Sequence, residues 1–263
     1  MKYNKLTLLV LVFCLTLTTF GQKYLEKPYN KWSKDEALRV LNDSPWAKQY
    51  QSPAGLAAAA QNQTAREQAD QVIRPTTGNQ QRGSSARTVQ PAPVTIRLHS
   101  ALPIRQAMVR MQQLGAEYDK MSEADRAKFD DSAKGFLNCG ICQSFYVVTM
   151  VKAKNASGQS VEDGLFQSMT LENLRGKVWL TNDKGEKREL AQFTPPKSES
   201  DAAVFFFKRA DDNGAALLLP ETKTLKFVFA NEFLDSRNPY SSLLPRNFEF
   251  NVSKMMMENK VEF

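Results

Sequence analysis

Between residues 51 and 92 the chain loses the means to build a core. This stretch is rich in Gln, Ala, Ser, Thr, Gly and Pro, and from Ala60 to Pro91 its aliphatic side chains are almost confined to Val72, Ile73 and Val89. So little apolar surface does not offset the entropy lost on ordering, and residues 51–92 are expected to form a low-complexity, disordered linker. The chain then divides into a short segment, 22–50, and a folded domain, 93–263, behind a leader at 1–21.

The leader reads as a cleavable secretory signal peptide. Lys2 and Lys5 make a positive start, Leu6 to Phe20 form an uncharged apolar run, and Thr19 and Gly21 place small residues before a cut ahead of Gln22. Fifteen apolar residues are short for a membrane span, which needs about 20. An uncleaved anchor is the alternative. A lipoprotein is set aside because Phe13, a bulky residue, precedes Cys14. No later segment is long and apolar enough to span a bilayer, so the expected location is extracytoplasmic, periplasmic or secreted, with no integral span after cleavage.

Removing residues 1–21 takes two lysines from the 35 basic residues and none of the 28 acidic ones, which lowers the net charge from +7 to +5. The basic residues are interspersed with acidic ones, without the stripe that nucleic-acid binders concentrate, so no nucleic-acid partner is expected. The mild excess favours weak contact with anionic envelope polymers or lipid headgroups, and the partner expected is an unidentified envelope protein or polymer. Two cysteines, Cys139 and Cys142, and one histidine, His99, remain. A zinc site would have to gather all three, and a Ser-His-Asp triad would have to use His99. No metal, cofactor or catalytic set is assigned.

In the segment 22–50, Ser33 and Glu36 fit a capping box, Trp32 sits at the staple position, and Ala37, Leu38 and Leu41 follow at helical spacing. Pro45 stops that helix and opens a short turn carrying Trp46 and Ala47. Trp32 and Trp46 are a candidate partner-binding pair on a tethered helix; alternatively they fold back on the domain. A linker of roughly 40 residues spans about 35 Å, which permits both.

The domain starts near Pro93 with an alternating strand, Val94 to Ser100, followed by helices from Leu102 and from Ser122, the latter stopping near Gly135. Strands follow at Phe145–Val151, in the hairpin 177–193, and at 203–208, 225–230, 247–252 and 260–263; a short helix is expected over 164–174. Seven or more strands with these helices give an α+β chain: mainly an antiparallel Ig-like β-sandwich with a helical insertion after its first strand. Phe205, Phe206, Phe207, Phe227 and Phe229 are expected in its core. The Met255–Met257 run reads as core filler, with an adaptable binding surface as the alternative, and Lys208, Arg209, Lys223 and Lys226 as a basic spot or, equally, a solvated strand face.

Cys139-Gly-Ile-Cys142 is the sharpest local motif, a possible disulfide or redox pair. A thioredoxin-like site wants a strand before it and a long helix after it. Here a helix precedes and a strand follows, which favours a local disulfide. Gln143 in place of His excludes haem attachment. His99 reads as a structural histidine.

Trp32-Ser33 with Asp43-Ser44-Pro45-Trp46-Ala47-Lys48, and Ser100-Ala101-Leu102-Pro103-Ile104-Arg105 with Ala107, together resemble an uncharacterised family of exported bacterial proteins. The Phe145-Tyr-Val-Val strand and the triple-Phe strand at 205–207 match its later part in type. Members often place a Trp before Glu-Ser-Ala-Leu-Pro, where this chain has Leu98 and His99. The resemblance implies export and a linker at 51–92, and it assigns no activity or site residue. The function expected is a non-enzymatic binding or scaffold protein of the bacterial envelope, with a periplasmic thiol–disulfide protein using Cys139 and Cys142 as the alternative.

Overall fold

The computed structural model describes residues 23–53, 56–57, 93–152, 166–198, 201–234, 243–257 and 260–263. The leader 1–21 and nearly all of the expected linker 51–92 lie outside the described residues.

The first helix, α1 (Lys34–Asn42), starts where its sequence says it should. The Ser33 hydroxyl accepts from the Glu36 amide while the Glu36 carboxylate accepts from the Ser33 amide, a complete capping box. The chain then runs into β1 (Ala47–Tyr50), which pairs antiparallel with β2 (Val94–Leu98). Two helices follow β2: α2 (Leu102–Gly115), with Pro103 in its first turn, and α3 (Glu123–Asn138), capped by Ser122. Beyond them come β3 (Phe145–Lys152), the one-turn helix α4 (Leu171–Leu174), β4 (Val178–Asn182), β5 (Lys187–Thr194), β6 (Ala203–Lys208), β7 (Thr224–Phe229) and β8 (Asn247–Asn251). A two-residue pair, β9 (Met256–Met257) with β10 (Lys260–Val261), ends the chain.

All eight longer strands join one antiparallel sheet in the order β1-β2-β3-β6-β5-β4-β7-β8. The sheet coils nearly into a barrel. Its two edges meet through side chains, with the Tyr50 and Phe248 rings 6.2 Å apart, and no ladder joins β1 to β8 among the described residues. A single coiled sheet replaces the two facing sheets of the expected Ig-like sandwich. The register explains it: β3 pairs with β6, and β6 with β5, so the strands that a sandwich would divide are hydrogen-bonded in one run.

The core follows from strand alternation. Phe205 and Phe207 on β6 and Leu225, Phe227 and Phe229 on β7 point inward and are fully buried or nearly so, whereas Phe206 between them faces out against Phe145. The expectation that Phe206 joins the core is therefore corrected by the period of two. A bulge at Ala191 switches the parity of β5, so Leu190 before it and Phe193 after it both share the inner side. Phe166 and Phe233, from segments outside the sheet, stack in parallel at 6.1 Å and complete the aromatic interior.

β2 and β3 are buried on both faces. The inner face carries Ile96, Leu98 and Val148, and the outer face of β2 is covered by α1. There Arg97 of β2 donates to the Leu41 carbonyl at 2.6 Å and to Asn42 Oδ1 at 3.0 Å. α1 packs in turn on α2. Residues 23–50 of the segment that the sequence leaves either tethered or folded back pack on the domain: they supply an edge strand and the outer cover of the sheet. The short turn expected to carry Trp46 and Ala47 is a tight turn over Pro45 and Trp46, closed by the Ser44–Ala47 bridge, and Ala47 opens the strand that pairs with β2. α3 runs through Gly135 to Asn138, and the helix expected over 164–174 is confined to Leu171–Leu174 among the described residues.

Candidate functional site

One end of the coiled sheet gathers most of the side chains that the sequence singles out. The α3–β3 junction, the β2–α2 corner, the end of β6 and the last residues of the chain meet there.

α3 ends at Cys139, which takes the left-handed conformation (φ 40°), and a 3-10 turn over Gly140–Gln143 leads to β3. Cys139 and Cys142 are bridged across it with their Cα atoms 5.3 Å apart. Cys142 is buried, Cys139 is half-buried, and Ile141 between them is 45% exposed. The turn is held from inside by Arg209, just beyond β6. Arg209 Nε donates to the Cys142 carbonyl at 2.7 Å, and its amide donates to the Ser144 carbonyl at 3.0 Å. The same guanidinium donates through Nη2 to the main-chain oxygen of Phe263. It lies 4.5 Å from the centroid of the Tyr146 ring and 5.7 Å from that of Phe263. Burial pushes the Tyr146 phenol up and Arg209 down from their ordinary values. The Tyr146 hydroxyl accepts from the Leu218 amide at 3.3 Å.

Arg105, on the buried face of α2, does the matching work on the other side. Its Nε donates to the Leu137 carbonyl at 2.9 Å, and its Nη1 donates to the carbonyls of His99 and Ser100. Among the described residues neither Arg105 nor Arg209 has a carboxylate side chain in ion-pair contact. Both spend their donors on main-chain oxygens of irregular segments.

His99 lies edge-on to Phe136, with ring centroids 5.4 Å apart, and its Nδ1 is buried without a hydrogen-bond partner. Burial above all, then the Arg105 and Arg97 charges, push His99 down to about 4, so the ring is neutral at pH 7. Ser100 is buried, and its hydroxyl likewise has no partner. The adjacent Ser and His are therefore not hydrogen-bonded to each other, and among the described residues no carboxylate is bonded to the ring. Among the described residues these two side chains are not joined into a nucleophile–base–acid chain.

Trp32 and Trp46 are both 0% exposed. Trp32 packs edge-on against Tyr24, donates from Nε1 to the Lys27 carbonyl at 3.2 Å, and offers its own carbonyl to Arg110 Nε at 2.7 Å. Trp46 donates from Nε1 to the Glu262 carbonyl at 2.5 Å. Neither indole is presented at the surface: each fills the chain's own interior, which is the fold-back arrangement of the two that the sequence leaves open. Arg110 also reaches Asp119 at 3.2 Å, and nearby Asp130 accepts from the Tyr118 hydroxyl at 2.6 Å, a bond that pushes this phenol up to about 12.

Among the described residues no three His, Cys, Asp or Glu side chains converge as a metal site would require, and no helix is long and apolar enough to cross a membrane. The sequence singled out Cys139, Cys142, Trp32 and Trp46 but gave Arg105 and Arg110 no role of their own, and it set Arg209 on a basic or solvated strand face, which the inward hydrogen bonds of Arg209 correct. The one available signal was position: Arg105 lies beside Ile104 on the helix face that also carries Ala107.

The chain is thus a helix-braced antiparallel β domain, coiled nearly to a barrel, with a disulfide-clipped turn at one end. It matches no known protein-family model, and no curated protein or solved structure matches it significantly.

Proposed function

We propose that the chain is an exported, non-enzymatic binding or scaffold protein of the bacterial cell envelope. One observation carries the reading. The arginines at the clipped end, Arg105 and Arg209, serve the chain's own backbone, while Phe136 and Ile141 stand 36% and 45% exposed beside them. Such groups build a rigid surface rather than a reaction centre. Export rests on the leader 1–21 and agrees with a bridged Cys139–Cys142 pair, since disulfides persist in oxidising compartments.

A photocrosslinking residue at position 136 or 141, in cells carrying the full chain, tests this. The expected result is one shared envelope adduct from both positions, absent from position 172 on α4 and lost in Ile141→Asp. Adducts equal from all three positions, or a chain retained in the cytoplasm, sink the proposal.

A thiol–disulfide protein using Cys139 and Cys142 is the second reading, favoured by the partial exposure of Cys139. Against it, Cys139 ends a sixteen-residue helix, where the negative end of the dipole opposes a thiolate. Reduction of a model disulfide, abolished by Cys139→Ser, would favour this reading over binding.

A further inference from the structure

The last residues of the chain form a strap across the clipped end. Met255 is fully buried, the Glu262 amide donates to the Met255 carbonyl at 2.8 Å, and β9 pairs with β10 between them. Trp46, Arg209 and Tyr146 seat the strap on the rest of the molecule. Trp46 Nε1 donates to the Glu262 carbonyl, Arg209 Nη2 donates to the Phe263 oxygen, and the Phe263 ring lies 6.2 Å from that of Tyr146.

Arg209 is common to the strap and to the disulfide turn. Its Nη2 holds Phe263, and its Nε holds the carbonyl of Cys142, whose sulfur is bonded to Cys139. Cys142 is therefore fixed at both ends, by its side chain through the bridge and by its carbonyl through Arg209. Across the turn, the Cys142 amide donates to the Cys139 carbonyl at 2.9 Å. Cys139 holds a left-handed backbone (φ 40°) that a non-glycine residue adopts at a cost, which the closed bridge helps to impose.

We infer that Arg209 couples the Cys139–Cys142 bridge to the strap, so that reducing the bridge loosens the seat of residues 260–263. The reductant is an external dithiol. It gives up two electrons and two protons and becomes a disulfide, while Cys139 and Cys142 each gain one hydrogen. With the bridge open, the turn relaxes from the left-handed corner, the Cys142 carbonyl moves off Arg209, and the guanidinium loses the anchor that aims it at Phe263. The strap then opens over Trp46 and Tyr146. The bridge is thus a redox-sensitive latch on a built-in cover, independent of which partner the protein binds.

Hydrogen exchange of the full chain, oxidised and then reduced with dithiothreitol, tests this. Reduction should speed exchange of the 260–263 amides about tenfold while β7 amides hold their rates. Cys139→Ser/Cys142→Ser should reproduce the change without reductant. In Arg209→Lys the strap should already exchange fast, and reduction should add less than about twofold, the non-additivity that marks coupled residues. Unchanged exchange on reduction of the unsubstituted chain overturns the inference, and so does a full tenfold effect in Arg209→Lys. The unsubstituted arm stands even if that variant does not fold.

Discussion

Replacing Trp32 by Ala separates a built-in N-terminal segment from a tethered one. Trp32 is 0% exposed, it meets Tyr24 edge-on at 6.3 Å, and its indole N–H is bonded to the Lys27 carbonyl. Truncating a fully buried Trp costs about 3–5 kcal/mol, of which the lost hydrogen bond supplies about 1. The Trp32 carbonyl survives the substitution, so the bond from Arg110 is not part of the loss. Against a total stability of about 5–15 kcal/mol, this is a large fraction.

Urea unfolding followed by far-ultraviolet dichroism measures it, because fluorescence changes with the removed ring. The midpoint should fall with the slope unchanged. Trp179→Ala is the internal control. Trp179 is half-buried on the outer face with the Lys187 ammonium 4.1 Å from its ring centroid, and its loss should cost about 1 kcal/mol. A loss below about 1 kcal/mol for Trp32→Ala, with the same slope, would refute the packing argument, since a substitution on a free tether stays within about 0.5 kcal/mol.

His99 has a folded pKa of about 4, below its ordinary 6.5, so the unfolded chain binds more protons between those values. Stability should be full above pH 6.5 and fall by up to about 3 kcal/mol as pH drops toward 4; denaturant titrations across that window should be flatter in His99→Gln. Ser33→Ala removes the hydroxyl half of the α1 cap and should cost about 1 kcal/mol in the same assay. Cys139→Ser/Cys142→Ser opens a four-residue loop, for which chain entropy gives about 2 kcal/mol; a change under 0.5 kcal/mol would mean that the bridge does not constrain the unfolded chain.

Local signals were legible wherever they depend on a few neighbouring residues. The Ser33–Glu36 box, the Ser122 cap, and the Asn182–Gly185 turn, where the Asn182 side chain accepts from the amides of Lys184 and Glu186, each declare themselves within five residues. The alternation of β7 and β8 is equally plain. What failed depends on partners far along the chain. Ala47–Tyr50 contains Lys48 and Gln49, neither a strand former, and it is a strand only because β2 pairs with it from across the linker region. Phe166 and Phe233 sit outside the strands, so no period marks them, yet they close the aromatic interior. One sheet or two is decided by whether β3 meets β6, a pairing that no local window contains.

The site was half legible for a related reason. Cysteine spacing is local, so Cys139 and Cys142 stood out. The arginines did not, because a sequence treats Arg as surface charge. Here Arg97, Arg105, Arg110, Arg188 and Arg209 each donate to a main-chain oxygen, at Leu41, Leu137, Trp32, Ala215 and Cys142 among others. Where helices end and turns cross the sheet, carbonyls lose their regular partners, and an unpaired buried carbonyl costs free energy. A planar guanidinium with five donors in a fixed fork satisfies two or three such oxygens at once, which a lysine ammonium does not do with the same geometry. Burial pulls Arg97, Arg105 and Arg209 below their ordinary pKa values, the electrostatic cost of using a cation this way. Part of the net positive charge is therefore turned inward as structural fastening. At the clipped end this leaves the exposed Phe136 and Ile141 as the more distinctive feature.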